Sequence, residues 1–299
     1  MPYVSTRTGR GDNARMTGAD TPARGDSGHR AWRHAAAPLG LLLVGYLGSR
    51  LGAGPALGLA VLLAVAAGTR VSLVHARDRA WIWAASLPLA VRHLWADVAP
   101  AAFPAGLATC GGLLSPPAAW RIAEALVVVG VLAAVAVGMG VRPASLGLRL
   151  PSRAVVALSA TAPLAIVPVA LALGPALARP FFAPFTLDLG TPWAIVPALL
   201  FATANGTMEE AVYRGALLSW GERMVGPRAA LWLQAIVFAF AHGAGRDFAA
   251  SPLPVVVVLV VAGVVAGLIV RRTGSLMLPI AVHAAFDVPL YYYQACRLA

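Results

Sequence analysis

The chain contains no lysine, and its positive charge rests entirely on arginine: 23 basic against 12 acidic residues, a formal charge of +11. Charge of either sign is scarce, 12% of 299 residues, where a soluble domain carries about 25%. That shortage excludes a fold covered by water on all sides. Nucleic-acid binding is excluded in turn, because the arginines punctuate apolar runs instead of gathering on one folded face. Cysteine is rare as well. Cys110 and Cys296 have no metal or redox spacing and read as ordinary membrane-helix residues. There is no HExxH spacing, no phosphate-cradling glycine loop and no internal repeat. What remains in abundance is apolar: 59% of the residues, with a mean hydropathy of +0.76.

Residues 1–34 carry six arginines and three aspartates with little to bury, so they are expected to form a disordered basic tail. The first apolar run starts only near Ala35, too late for a cleaved signal peptide. Apolar runs follow at about 35–49, 54–69, 80–99, 119–141, 154–178, 191–222, 229–245, 253–270 and 276–294. The first two are short against the roughly 20 residues a spanning helix needs, so eight or nine spans are expected. The fold class is all-α, a polytopic transmembrane helix bundle. Three parts are expected: the tail 1–34, N-terminal transmembrane helices of unassigned role over 35–141, and a core over 142–299. In the nine-span version, arginines concentrate in the tail and on the loops that share its side, including Arg142, Arg149, Arg153, Arg223, Arg228, Arg271 and Arg272. The positive-inside rule then puts the tail in the cytoplasm, and the expected location is the plasma (inner) membrane.

The acidic residues are most informative where they interrupt these runs. Glu209, Glu210 and Arg214 lie within one apolar stretch, where each charge costs about 2.5–3.5 kcal/mol on insertion scales. Such a cluster marks a functional site by default. Glu209 lies 13 residues before Glu222, where its helix is expected to end, and His242 lies 13 residues after Ala229, where the next begins. At 1.5 Å per residue both stand about 20 Å from the shared turn, so an antiparallel pair brings them to one depth. Glu210 and Arg214 are i and i+4, as are Phe238 and His242, and again His283 and Asp287. Bland readings exist for each: an interhelical hydrogen bond for a lone membrane histidine, an internal salt bridge for Glu210 and Arg214. The joint pattern weighs against them. The remaining acids, Asp78, Asp97, Glu124, Asp188, Glu222 and Asp247, are expected near span ends. His29, His34, His75 and His93 receive no role.

These residues resemble a known family. E-E-A-V-Y-R (Glu209 to Arg214) followed by G-A-L-L is similar to the EExxxR motif of the CPBP intramembrane proteases, also called the CAAX-protease or Abi family. F-A-F-A-H (Phe238 to His242) is similar to its FxxxH motif. The run from Gly274 through His283 to Asp287, preceded by G-L-I-V-R-R-T, is similar to its third motif, and V-R-P-A-S-L-G-L-R resembles the segment ahead of the core helices. The resemblance spans about 143–290.

The resemblance implies a hydrolase: an intramembrane endopeptidase that cleaves a membrane-associated or lipidated protein. Glu209 and His242 would activate a water, and His283 and Asp287 would hold the oxyanion, with such donors worth about 2.7–4 kcal/mol each. Glu210 and Arg214 would orient Glu209, with Phe238 in support. Many relatives carry Asn where this chain has Asp287. An Asp there either donates while protonated or orients His283 as a carboxylate. The set Glu209, His242, His283 and Asp287 also suits zinc. The reading leans to catalysis without a cofactor, with zinc as the alternative. The implied partners are a membrane-associated protein or peptide substrate and the lipid bilayer, and no nucleic acid. Other readings stay open: a sorting-type peptidase that trims C-terminal membrane anchors of exported proteins, a non-catalytic membrane scaffold or immunity protein, and a proton-coupled transporter. The last calls for embedded acids in both halves, and here they gather in the C-terminal one.

Overall fold

Long apolar runs with no polar face can satisfy their backbone in lipid only by closing every hydrogen bond within the segment, and the chain does so as helices. The computed structural model describes residues 110–112, 115–138, 140–178, 186–243 and 253–298. The expected spans at 35–49, 54–69 and 80–99, and the expected disordered tail, lie outside them.

Helix α1 (Pro116–Gly138) opens on two prolines, which suit a first turn whose N–H groups have no intrahelical acceptor. Ala118, Ala125, Val128, Leu132 and Ala136 form its buried stripe. After a 3₁₀ turn at Pro143–Leu146 comes α2 (Arg153–Ala178), which contains Pro163, Pro168 and Pro175. Ser159 and Thr161 donate to the carbonyls of Val155 and Ala157, at 2.7 and 2.9 Å. Helix α3 starts at Ile195, passes at Ala211–Leu218 through a wider π-helical stretch, and resumes as Ser219–Val225. Then come α4 (Pro227–Gly243), α5 (Leu253–Thr273) and α6 (Met277–Ala295). The one pairing of strands among the described residues is short, β1 (Thr186–Leu187) against β2 (Arg297–Leu298).

Among the described residues, three helices are long and apolar enough to cross a membrane: Pro116–Gly138, Arg153–Ala176 and Val256–Thr273. Large side chains such as Leu126 and Leu164, 70% and 74% exposed, point away from the bundle, as expected of helices whose surroundings are lipid rather than water. The described helices follow the apolar runs from residue 119 onward closely. The total of eight or nine spans rests partly on residues outside the described set.

Small residues bring the helices together, as is usual where lipid removes the hydrophobic drive between them. Gly263 and Gly267 of α5 pack on Ala235 and Leu231 of α4, so close that a Cβ on Gly263 would stand 2.9 Å from Ala235. Gln234, fully buried, donates across the same contact to the Gly263 carbonyl at 2.8 Å. Gly206 of α3 lies against the backbone of Ile280 and Ala284 on α6, where a Cβ would meet both at 3.2 Å.

The two ends of the bundle differ. At one, the loop after α1 is tied to the α5–α6 turn: the Leu276 N–H donates to the Gly147 carbonyl at 3.0 Å, and Leu148 bridges to Ser275. Arg142, Arg149, Arg153, Arg223, Arg228, Arg271 and Arg272 belong to this end. Arg271 pairs with Glu222 at 2.6 Å and donates to the Pro227 carbonyl. At the other end Cys110 and Cys296 form a disulfide, with Cα atoms 5.0 Å apart across 186 residues of sequence. This overturns their reading as ordinary helix residues. Glu124, expected near a span end, instead lies inside α1, 6% exposed and paired with Arg121 at 2.5 Å.

Candidate active site

Helix α3 supplies the centre of the site. Glu209 and Glu210 are the last residues before the wide turn, a departure from α-helical geometry often found at functional positions. Adjacent helical residues point about 100° apart, and the two carboxylates have separate partners.

Glu210 faces inward. Its side chain is 2% exposed, and its Oε1 stands 2.9 Å from Nη1 of Arg214, itself 1% exposed. A buried ion pair is tolerable only when further contacts help to satisfy it. The Arg214 guanidinium lies over the Phe238 ring, 4.1 Å from its centroid. Oε1 of Glu210 also takes a hydrogen bond from Nδ1 of His283 at 2.8 Å. The Glu210–Arg214 pair therefore reaches His283 on α6, and not Glu209 as the motif resemblance implied.

Glu209 faces the cleft between α4 and α6. Its Oε2 lies 3.3 Å from Nε2 of His242 and 3.5 Å from Nε2 of His283. Both rings are held from behind. Nδ1 of His242 donates to the Phe238 carbonyl at 2.8 Å, and Nδ1 of His283 donates to Glu210. A carbonyl or carboxylate can only accept, so Nδ1 carries a proton in both rings and Nε2 is the atom each ring turns to the cleft. Phe238 is the common wall, with its ring centroid 4.5 Å from that of His242 and 5.9 Å from that of His283.

Asp287, one turn beyond His283 on α6, completes the group. Its Oδ2 lies 3.4 Å from Nε2 of His283 and accepts a 2.7 Å hydrogen bond from Nδ2 of Asn205. Asn205 is buried, 4% exposed, and received no role from the sequence. Its signal was present, one turn before Glu209 at the same i, i+4 spacing that links the other pairs.

All seven residues singled out by the sequence (Glu209, Glu210, Arg214, Phe238, His242, His283 and Asp287) therefore meet in one place. The side chains of Glu209, His283 and Asp287 are about equally buried, 14–15% exposed, while His242 is more open at 30%. Chemically, Oε2 of Glu209 and the two Nε2 atoms converge on a point that suits a water. Among the described residues, no three His, Cys, Asp or Glu side chains form a group able to hold one metal ion.

Residues 191–289, about a third of the chain, match the family model described as type II CAAX prenyl endopeptidase, Rce1-like. The matched segment runs from just before α3 into α6 and contains every residue of the cluster. It confirms, for this segment, the CPBP resemblance carried by the three motifs. No curated protein and no solved structure matches the chain.

Proposed function

We propose that this protein is an integral membrane endopeptidase of the CAAX type, hydrolysing a peptide bond of a membrane-associated or lipidated protein. The observation that carries this reading is the convergence of both imidazole Nε2 atoms on one oxygen of Glu209, at 3.3 and 3.5 Å. A water there donates one O–H to Glu209 and the other to His242, and so presents a lone pair to a substrate carbonyl. Glu209 takes the proton as oxygen attacks, a general-base step worth about 10²–10⁴-fold, and gives it to the amine nitrogen as the C–N bond breaks. His283 stabilises the tetrahedral oxyanion through Nε2. Since Nδ1 is committed to Glu210, donation from Nε2 requires the doubly protonated ring, for which Glu210 and Asp287 are the counter-charges. Asp287, accepting from Asn205, serves as a carboxylate that orients His283. The water is held by side chains alone.

The test compares wild-type protein with Glu209→Gln and His242→Ala at matched expression in the native host, reading membrane and secreted protein termini by mass spectrometry. One class of protein should lose its new terminus in both variants. If folded variants leave every terminus unchanged while deletion of the chain still has a phenotype, the protein acts as a scaffold. Purified enzyme should keep its activity in a chelator, whereas a loss that added zinc restores would replace the side-chain-held water with a metal-bound one.

A narrower reading, a peptidase that trims C-terminal anchors of exported proteins, is favoured by one observation. His242, the most open group of the site, is the penultimate residue of α4, and this helix runs from the arginine-rich end towards the disulfide end. Disulfides persist on the oxidising side of a membrane, the side on which exported proteins are found.

A further inference from the structure

We infer that Arg121 forms a subsite for the free α-carboxylate of a substrate cut close to its C-terminus, an inference that rests on the peptidase reading above. Arg121 lies in the first turns of α1, outside the segment that matches the family model. Its guanidinium is fixed on three sides. Nη1 is held by Glu124 at 2.5 Å, and the plane lies over Phe201 of α3, with Cζ 5.3 Å from the ring centroid, and near Trp120 at 5.8 Å. The side chain is 19% exposed. Its Nε is buried and has no hydrogen-bond partner among the described residues. Nε and Nη2 form the edge of a guanidinium that a carboxylate engages with two parallel hydrogen bonds. Glu124 occupies Nη1 and leaves Nε, one end of that edge, without a partner.

The position along α3 matches the length of the missing ligand. Phe201, Asn205 and Glu209 succeed one another at one-turn intervals, so the Phe201 level stands about 12 Å from Glu209 at 1.5 Å per residue. In a C-a-a-X terminus three residues follow the prenylated cysteine, and an extended chain of that length spans about 10 Å. A substrate with its scissile carbonyl at Glu209 and its chain running outward along α3 brings its carboxylate to Arg121. The same cation would disfavour substrates whose chain continues past this point, since it would remain buried with its open edge unpaired.

The test uses the purified full-length protein and two synthetic farnesylated peptides of identical C-a-a-X sequence, one ending in a free carboxylate and one in a carboxamide. Wild type should prefer the acid by about tenfold or more in kcat/KM, mostly through KM, as expected for one partly exposed charge-assisted pair. Arg121→Gln should bring the acid-to-amide ratio to about one, and Arg121→Lys, which keeps the charge but not the two-pronged edge, should fall between. A merely structural Arg121 would lower both substrates together and keep their ratio, which overturns the subsite. Equal cleavage of both peptides by wild type also overturns it, and leaves a peptidase that cuts farther from chain ends. Cleavage of neither by wild type overturns the subsite together with its C-a-a-X substrate, while the comparison of protein termini in Glu209→Gln and His242→Ala decides the peptidase reading separately. If Arg121→Gln fails to fold, the wild-type comparison and Arg121→Lys decide the matter.

Discussion

Asn205 is the residue whose removal best separates packing from chemistry. Asp287 accepts from it at 2.7 Å, and Asp287 in turn faces Nε2 of His283. In Asn205→Ala, the buried carboxylate loses a donor, a penalty of about 1–3 kcal/mol, and His283 loses part of its support. The expected result is a folded enzyme with kcat lowered about tenfold. Asn205→Asp keeps the shape but sets a second acid against Asp287 and should be worse than alanine, because like charges disfavour each other's ionised forms at this distance. Turnover of the two variants, measured on one substrate with melting temperatures alongside, checks the order. A filler role predicts the reverse, with the near-isosteric aspartate milder than alanine.

At the scale of elements, the distance between α3 and α6 sets the geometry of the site, since Glu209 belongs to one helix and His283 and Asp287 to the other. Gly206 is the spacer. A Cβ there would meet the Ile280 carbonyl oxygen and the Ala284 nitrogen at 3.2 Å, both of them backbone atoms. Gly206→Val forces the helices apart, and a displacement near 1 Å at a reacting centre can cost about 10²-fold. The expected outcome is a large drop in kcat with the helix content kept, by circular dichroism. Gly130, where a Cβ would meet nothing within 4 Å, supplies the control: Gly130→Ala should leave activity unchanged. Helix existence and most of the cluster were legible because both depend on local spacing. The i, i+4 rule pairs Glu210 with Arg214 and His283 with Asp287, and hairpin arithmetic brings Glu209 level with His242. The partner of Glu210 beyond Arg214 was not legible, since the wide turn at Ala211–Leu218 and the approach of α6 at Gly206 are settled by packing. Arg121 and Glu124 escaped for a related reason. Glu124, close to the start of its apolar run, reads as a span-end residue, and only Phe201, from another helix, shows what surrounds the Arg121 guanidinium.

For the whole molecule, sidedness is carried by two features that do not depend on each other. Arginine placement was legible in the sequence, and Arg142, Arg149, Arg153, Arg223, Arg228, Arg271 and Arg272 do share one end of the bundle. The disulfide was not legible, because 186 residues separate its cysteines and no local pattern announces a contact that only the return of α6 beside α1 creates. Positive charge is retained on the cytoplasmic face, and disulfides persist on the oxidising one, so both features lead to the same expected orientation, with Cys296 outside. Intact cells treated with a membrane-impermeant reductant and then an impermeant maleimide should label Cys110 and Cys296, with no labelling when the reductant is omitted. In a Cys110→Ser, Cys296→Ser background, a cysteine introduced by Ser152→Cys, beside Arg153 at the other end, should react only after the membrane is opened. Labelling of that position in intact cells, with Cys296 protected, would invert the topology. It would also turn the open His242 side of the site towards the cytoplasm and remove the support for exported proteins as substrates. The expected pattern instead places both His242 and the proposed carboxylate subsite at Arg121 in the outer half of the bundle.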